Sequence, residues 1–212
     1  MKRILIVEDH TIVRQGMIRL LGELLAQPLE FDEAADGQEA VTLAGVNEYD
    51  TVLLDISLPG RNGLDVLKQI RLLKPRLPVL VVSMHSEEQY AIRALRAGAA
   101  GYVTKSCAAE ELKAAVEKVL QGGRYVNPSQ AELLADAVRE DHDDIALHKL
   151  LSDREYQLAC LMTSGKTMTE IATELSLSIK TVSTYRTRVL EKLQLRTNGE
   201  IINYCLTHKL CM

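Results

Sequence analysis

The first 125 residues alternate short apolar segments with stretches whose apolar residues recur at helical spacing. Each apolar segment has the length of a buried strand and is too short to span a membrane. Strands separated by helices favour a parallel sheet, because parallel neighbours need long crossover connections. We therefore predict an α/β doubly wound, five-stranded parallel sheet in the order 2-1-3-4-5. The predicted strands are Arg3–Val7, Glu30–Ala35, Thr51–Leu54, Pro78–Val82 and Gly101–Val103.

Acidic residues follow two of these strands at the edge where open α/β sheets bind ligands. Glu8 and Asp9 come after the first strand, and Asp55 follows the third. Three carboxylates in one cleft repel one another unless a cation is present, and Mg²⁺ commonly binds carboxylates together with phosphate oxygens. We therefore expect Mg²⁺ at these acids. The alternative role for Asp9 is to cap the helix that opens near Thr11.

The fourth and fifth strands bring two further polar residues, Ser83 and Lys105, to the same edge. Asp55 as a nucleophile, with Lys105 and Ser83 holding phosphoryl oxygens, describes a phosphoryl-acceptor site. A phosphatase that uses an aspartyl-phosphate intermediate would place a second carboxylate two residues after the nucleophile, where Ser57 stands. A Rossmann-type nucleotide enzyme would have glycines, rather than acids, after the first strand.

Residues 1–122 resemble the receiver domain of bacterial two-component response regulators, which has a flavodoxin-like fold. The resemblance implies that a sensor histidine kinase phosphorylates Asp55, and that the acidic pair, Asp55 and the backbone carbonyl of Ser57 hold Mg²⁺. It also implies that Ser83 and Tyr102 rearrange on phosphorylation. The motifs that carry it are Glu8-Asp9, Asp55 with Leu58-Pro59 and Gly63, Ser83, and Gly101-Tyr102-Val103-Thr104-Lys105.

Residues 123–147 are predicted to be a linker that contains a short helix. An acidic run at 140–144 is polar and solvating, as linkers are. His142 and His148 stand beside acids, and we interpret them as solvent-facing linker residues rather than metal ligands.

Residues 148–212 have the pattern of an all-α domain. Ser152 with Glu155, and Thr167 with Glu170, have the spacing of capping boxes, each followed by apolar residues at helical spacing. A tight turn then precedes Ser178, the predicted N-cap of the next helix. Two short helices joined by such a turn form a helix-turn-helix, whose second helix reads the DNA major groove.

The second helix of this motif has two distinct faces. Between residues 179 and 196, five basic side chains stand against Glu191 alone, which points to an anionic partner. Lys192, at the flank of the outer face, is expected to reach backbone phosphates. The alternative is an amphipathic helix whose charged face is only solvated. The predicted core face contains Val182, Tyr185, Val189 and Leu193, and the outer face contains Lys180, Thr184, Thr187, Arg188 and Glu191, with Ser183 at its margin.

This part of the chain resembles the LuxR-type helix-turn-helix of the NarL/FixJ subfamily of response regulators. The resemblance places Ser183, Thr184 and Thr187 at the base-reading positions, and Tyr185 resembles the branch whose members pair with hybrid sensor kinases. The motifs that carry it are Leu151-Ser152-Asp153-Arg154-Glu155, Gly165, Glu170-Ile171-Ala172, Leu175, Ser178, Lys180-Thr181-Val182, Tyr185 and Lys192-Leu193.

Together these features predict a transcriptional regulator that is switched by phosphorylation of Asp55. We expect it to bind double-stranded DNA as a homodimer and to act as a phosphoacceptor rather than as a turnover enzyme. The alternative is a regulator whose DNA binding is independent of phosphorylation.

Composition bears on the compartment of the protein. Apolar residues make up 47% and charged residues 25% of the chain, which are ordinary values for a globular protein. Met1-Lys2-Arg3 leads directly into strand residues without a secretory signal, so we expect a cytoplasmic protein with no membrane partner. The four cysteines lack zinc-type spacing and are expected to be reduced thiols. They are Cys107, Cys160, Cys205 and Cys211.

Overall fold

A computed structural model describes residues 1–140, 147–208 and 210. The chain divides into two compact units, Met1–Leu134 and Ala135–Met212. This division falls inside a helix, whereas the sequence places a linker at 123–147, and the domain limits at 122 and 148 stay predictions. Most of the acidic run, and His142 with it, lies outside the described residues.

The first unit contains a five-stranded parallel sheet. Its strands are β1 (Lys2–Val7), β2 (Leu29–Ala34), β3 (Thr51–Leu54), β4 (Val79–Ser83) and β5 (Gly101–Thr104). Their order is β2-β1-β3-β4-β5, with every pair parallel, which confirms the predicted topology. Its helices are α1 (Thr11–Leu24), α2 (Gly37–Val46), α3 (Gly63–Leu73), α4 (Glu87–Arg96), α5 (Ala109–Leu120) and α6 (Pro128–Glu140), which continues into the second unit.

The central strands of the sheet are buried along their whole length because helices cover both of its faces. Every residue of β3 and β4 is buried. On one face, Met17 and Leu21 from α1 and Val116 from α5 join a cluster with Leu53 and Leu80 of the sheet. This packing fixes the strand ends, and therefore the side chains that follow them.

The start of α3 lies directly behind the end of β3. Asn62 caps this helix by accepting a hydrogen bond of 2.8 Å from the Leu64 N–H. A Cβ atom on Gly63 would lie 2.2 Å from the Asp55 carbonyl oxygen and 2.5 Å from Ile56 Cα. Only glycine fits there without displacing the backbone. The start of α3 is therefore in close contact with the backbone of Asp55 and Ile56.

The second unit is helical, as predicted. Both capping boxes are present, at Ser152 with Glu155 and at Thr167 with Glu170. Ser178 caps α9 by accepting a hydrogen bond of 3.1 Å from the Thr181 N–H. Its elements are a 3₁₀ turn (Leu147–Leu150), α7 (Asp153–Thr163), α8 (Met168–Glu174), α9 (Ile179–Leu193) and α10 (Asn198–Thr207).

The core face of α9 differs from the prediction at one position. Val182, Val189 and Leu193 are buried as expected, whereas Tyr185 is only half-buried. The stripe of α9 that packs against α7 and α8 is therefore narrower than the helical pattern suggested. Among the described residues, no helix is both long and apolar enough to cross a membrane.

The expectation that the cysteines are reduced thiols is corrected at one position. Cys107 and Cys205 carry free thiols, but Cys160 is disulfide-bonded, and Cys211 lies outside the described residues. The C-terminal end folds back onto α7, where the Leu210 carbonyl oxygen accepts a hydrogen bond of 2.6 Å from the Tyr156 hydroxyl. This fold-back puts Cys160 Sγ 3.7 Å from the same carbonyl oxygen, close to the end of the chain.

His148 is likewise not a solvent-facing linker residue. Its Nδ1 lies 3.3 Å from the Tyr204 hydroxyl, and its ring centroid is 5.5 Å from that of His208. The 3₁₀ turn that carries His148 therefore packs against α10 instead of extending into solvent.

Candidate functional site

The acidic residues of the first unit meet where the parallel strands end. The Asp55 N–H donates a hydrogen bond of 3.0 Å to the Val7 carbonyl oxygen, which continues the ladder between β1 and β3 past the last strand residue. This pairing sets Asp55 beside Glu8, and both side chains are almost completely buried, at 2% and 0% exposed. The structure thus brings together the two carboxylates that the sequence places after β1 and β3.

Lys105 supplies the cation between these carboxylates. Its Nζ lies 2.8 Å from Asp55 Oδ2 and 2.5 Å from Glu8 Oε2, and only 9% of the side chain is exposed. Burial lowers the pKa of Lys105, but the adjacent charges of Asp55 and Glu8 outweigh burial and raise that pKa above its ordinary value. The ammonium therefore stays charged at neutral pH, on the oxygen of the predicted phosphoacceptor.

Asp9 and His10 form the exposed rim of the acidic site. Nδ1 of His10 lies 3.0 Å from Asp9 Oδ1 and 3.1 Å from Glu8 Oε1. The hydrogen bond to Glu8 and the charge of Asp9 raise the pKa of His10 above its ordinary value. The N-cap of α1 is His10, whose side chain makes no cap bond, and not Asp9. Sequence reasoning missed His10, although its place directly after the acidic pair was a usable signal.

The acids have the chemistry that a hard divalent cation requires. Glu8, Asp9 and His10 each offer one ligand atom, and these atoms lie within 4.8 Å of one another. Carboxylate oxygens are the ligands that Mg²⁺ prefers, and Asp55 adds another beside them. The buried carboxylates of Glu8 and Asp55 carry two negative charges against the single charge of Lys105, and a divalent cation would offset this excess.

A histidine that the sequence analysis did not single out connects the remaining polar residues of this edge. Ser57 N–H donates a hydrogen bond of 3.1 Å to Asp55 Oδ1, and Ser57 Oγ lies 3.1 Å from His85 Nε2. The His85 N–H donates to Ser83 Oγ at 3.2 Å. The imidazole stacks on Tyr90, with centroids 4.5 Å apart. His85 thus connects the loop that follows Asp55 to the end of β4.

Tyr102 is held in an inward position by the same loop. It is completely buried, and its hydroxyl donates a hydrogen bond of 2.7 Å to the His85 carbonyl oxygen. Ser83, the last residue of β4, is also completely buried, and its hydroxyl oxygen accepts from the His85 N–H. Ser83, His85 and Tyr102 therefore form one hydrogen-bonded chain from β4 to β5.

The second unit presents the outer face of α9 to solvent. Helix α9 follows α8 across a turn in which Ser176 adopts a left-handed conformation, with φ of 52°. Thr184 and Thr187 donate hydrogen bonds of 3.0 and 3.1 Å to the carbonyl oxygens of Lys180 and Ser183 on their own helix, so each hydroxyl keeps its acceptor capacity for another partner. The exposed residues of this face include Lys180, Ser183, Thr184, Thr187 and Arg188.

Two basic side chains of α9 are engaged within the second unit. Lys192 Nζ lies 2.6 Å from Glu155 Oε2 and donates to the Leu150 carbonyl oxygen at 3.1 Å. Arg186 donates to the side chain of Asn198. The sequence assigns Lys192 to the flank of the DNA-facing surface, but in this structure its ammonium neutralises a carboxylate of α7.

Two family models match separate parts of the chain. The response regulator receiver domain matches residues 4–117, and the LuxR family of bacterial regulatory proteins matches residues 149–205. The first match spans the acidic site, and the second spans α7 to α9 and most of α10.

Curated relatives match along almost the entire chain. The response regulator UvrY of Escherichia coli K12 is 33% identical over 100% of this chain and 96% of its own length. The response regulator GacA of Pseudomonas aeruginosa is 34% identical over 98% of this chain and 97% of its own.

Solved structures show the same architecture. A LuxR-family two-component response regulator from Aurantimonas is 38% identical, with a TM-score of 0.59 over 65% of this chain and 98% of that one. RcsB of Salmonella enterica, bound to a promoter in the presence of a phosphoryl mimic, is 25% identical, with a TM-score of 0.59 over 96% and 97% of the two chains.

The receiver match lies within the first unit, and the LuxR match lies within the second. The chain therefore belongs to the two-component transcriptional response regulators of the NarL/FixJ type, which join a receiver domain to a LuxR-type helix-turn-helix domain.

Proposed function

We propose that Asp55 accepts a phosphoryl group from a sensor histidine kinase and that phosphorylation controls DNA binding by the second unit. The observation that carries this proposal is the Lys105 ammonium, which bridges Asp55 and the fully buried Glu8. A cation fixed on the acceptor carboxylate can stabilise the negative charge of an incoming phosphoryl group without rearranging.

The reaction needs one nucleophile and several charge-stabilising groups. An Asp55 carboxylate oxygen attacks the phosphorus of the kinase phosphohistidine, the O–P bond forms, and the P–N bond breaks with its electron pair returning to the imidazole. Glu8, Asp9, Asp55 and the Ser57 carbonyl would hold Mg²⁺, which when bound neutralises phosphoryl oxygens. Hydrolysis of the acyl phosphate then restores Asp55. In this proposal the protein acts as a phosphoacceptor rather than as a turnover enzyme.

The added phosphoryl group carries nearly two negative charges and attracts hydrogen-bond donors. Ser83 Oγ, which now accepts from the His85 N–H, is placed to turn its hydroxyl toward a phosphoryl oxygen. If Ser83 Oγ itself moves toward the phosphoryl oxygen, it moves away from the His85 N–H, and the loop that holds the Tyr102 hydroxyl loosens. The Ser83–His85–Tyr102 chain is therefore the switch that we propose.

The outer face of α9 is the surface that we propose for double-stranded DNA, bound by a homodimer. Thr184 and Thr187 offer oxygens and methyl groups that can contact base edges, with Ser183 beside them. Lys180 and Arg188 supply charge for backbone phosphates. The related RcsB–promoter complex supports this assignment. Lys192 is left out of the direct contacts, because Glu155 already binds its ammonium.

Acetyl phosphate with Mg²⁺ tests the acceptor directly. Intact-mass measurement should show a gain of roughly 80 Da in the parent protein and none in Asp55→Asn, because only the carboxylate forms an acyl phosphate. Asp65→Asn, which alters a half-exposed acid on α3, is the matched control and should be labelled like the parent. A label that persists in Asp55→Asn would refute the assignment.

Gel-shift assays on genomic fragments, with and without the phosphodonor, then test control of DNA binding. The parent should bind DNA more tightly after labelling, and Asp55→Asn should not respond to the donor. Equal binding by labelled and unlabelled protein would instead identify a regulator that binds independently of phosphorylation.

A further inference from the structure

The segment that follows α5 is built into the receiver sheet. Tyr125 pairs with Gly101 in an isolated β-bridge beside β5, and the Tyr125 N–H donates a hydrogen bond of 2.8 Å to the Ala100 carbonyl oxygen. A Cβ atom on Gly101 would lie 2.9 Å from Tyr125 Cβ, so only glycine permits this close approach. The chain therefore lies along β5 before it enters α6.

The start of α6 is held by two side-chain amides, those of the partly buried Asn127 and the buried Gln130. Gln130 is completely buried, and its Nε2 donates to the Tyr102 carbonyl oxygen at 2.8 Å and to Glu87 Oε1 at 3.0 Å. Asn127 Nδ2 donates to the same Glu87 oxygen at 2.7 Å, and Asn127 Oδ1 accepts from the Gln130 N–H at 2.9 Å. We call Asn127, Gln130 and Glu87 the amide latch.

The amide latch contacts the two structures that carry the proposed switch. Tyr102 binds the latch through its backbone carbonyl and binds His85 through its hydroxyl. Glu87 is the first residue of α4, two positions after His85. The loop between β4 and α4 contains His85, whose N–H donates to Ser83 Oγ. Any shift of Tyr102 or of this loop must therefore change the distances within the latch.

The latch is also poised to open. Within the described part of the chain, the buried Gln130 Oε1 has no hydrogen-bond partner. An unsatisfied buried carbonyl is unfavourable, and this offsets part of the stabilisation from the two amide hydrogen bonds. A small displacement of Glu87 Oε1 or of the Tyr102 carbonyl oxygen can therefore make release of Gln130 favourable.

We propose that the amide latch couples phosphorylation of Asp55 to α6, by holding the first turn of α6 on the receiver before phosphorylation and releasing it afterwards. The coupling rests on the proposed function, because it needs the phosphorylation-driven shift of Ser83 and Tyr102. Helix α6 runs from Pro128 to Glu140 and crosses the division between the two units. Release of its first turn would change how the chain leaves the receiver.

Hydrogen exchange of the full-length chain, followed by mass spectrometry, tests the latch. Acetyl phosphate with Mg²⁺ should raise the exchange rate of amides in residues 124–136 of the parent protein by about threefold or more. Gln130→Ala should show this faster exchange before any phosphodonor is added, with Asp55 still labelled normally. Gln38→Ala, which alters an exposed glutamine on α2, is the matched control and should behave like the parent.

The intact mass of each sample distinguishes the two ways of failing. If Asp55 is labelled while exchange in residues 124–136 stays unchanged, the latch is overturned and the proposed function stands. If Asp55 of the parent is not labelled, the proposed function fails, and the coupling fails with it. Normal labelling of Gln130→Ala also shows that this variant has folded.

Discussion

Replacing the buried Lys105 with methionine should destabilise the receiver far more than the loss of a half-exposed lysine does. Methionine keeps the length and apolar stem of the side chain but removes the ammonium that lies between Asp55 and Glu8. Two buried carboxylates would then face each other without a counter-ion. Like charges in a buried cleft repel, Asp55 also loses a charged hydrogen bond, and Glu8 loses its ion pair.

The magnitude follows from the burial of all three partners. Removing one member of a buried ion pair costs about 3–5 kcal/mol, because the remaining charge stays buried and uncompensated. Solvent screening reduces this little, since the three side chains are 9%, 2% and 0% exposed. A loss of this size should lower the unfolding midpoint of the receiver by roughly 12–20 °C.

The pH dependence has a definite sign. The pKa of Lys105 is raised in the folded protein, so its stabilising contribution is constant at neutral pH and is lost only as pH rises through that raised pKa. The loss of stability in Lys105→Met should therefore be the same at pH 7 and at pH 8.

Denaturant unfolding without Mg²⁺, at both pH values, measures the effect. Lys113→Met removes a half-exposed lysine that lies 3.9 Å from Glu117, and it should change stability by less than about 1 kcal/mol. Added Mg²⁺ should recover part of the loss in Lys105→Met. Unchanged stability of metal-free Lys105→Met at pH 8 would refute the view that this ammonium is the internal counter-ion of the site.

Two further predictions concern α9. Thr184→Ala should cost roughly 1–3 kcal/mol on the preferred DNA site and little on random DNA; equal losses on both DNAs would show that Thr184 does not face the bases. Lys192→Met should lower the stability of the second unit by about 1 kcal/mol. Burial raises the pKa of Glu155, but its bonds with Lys192 and Ser152 outweigh burial and lower it. That stabilisation is lost as pH falls through the lowered pKa, and melting from pH 7 to pH 3 measures it. A salt slope of DNA binding reduced by about one per protomer would instead show that Lys192 leaves Glu155 for phosphate.

The sequence predicts the receiver fold well because its signals are local. Short apolar segments and their spacing determine the strands, and the order of strands follows from the rule for parallel connections. Each strand limit in the structure lies within one residue of the predicted limit. For example, β2 begins at Leu29 instead of Glu30, and β4 ends at Ser83 instead of Val82. Capping boxes are equally local, because the Ser152 side chain and its partner Glu155 are three residues apart.

Contacts between side chains distant in sequence were not predictable in the same way. His85 approaches Ser57, and Gln130 reaches Tyr102, only because β3, β4 and β5 are neighbours in the folded sheet. The pairing of Lys192 with Glu155 depends on how α7 packs against α9. A helical wheel assigns a direction to each side chain, but it does not identify the residue that the side chain contacts in the folded protein.

The close approach of Gly63 to the backbone of Asp55 means that the site requires position 63 to have no Cβ atom. A methyl group there would meet the Asp55 carbonyl oxygen at 2.2 Å, so either α3 or the end of β3 would have to move. Every polar group of the site would remain present while the acceptor lost its alignment with Lys105. Genetic loss of signalling can therefore arise at a residue that carries no functional group, and a search restricted to charged positions would overlook it.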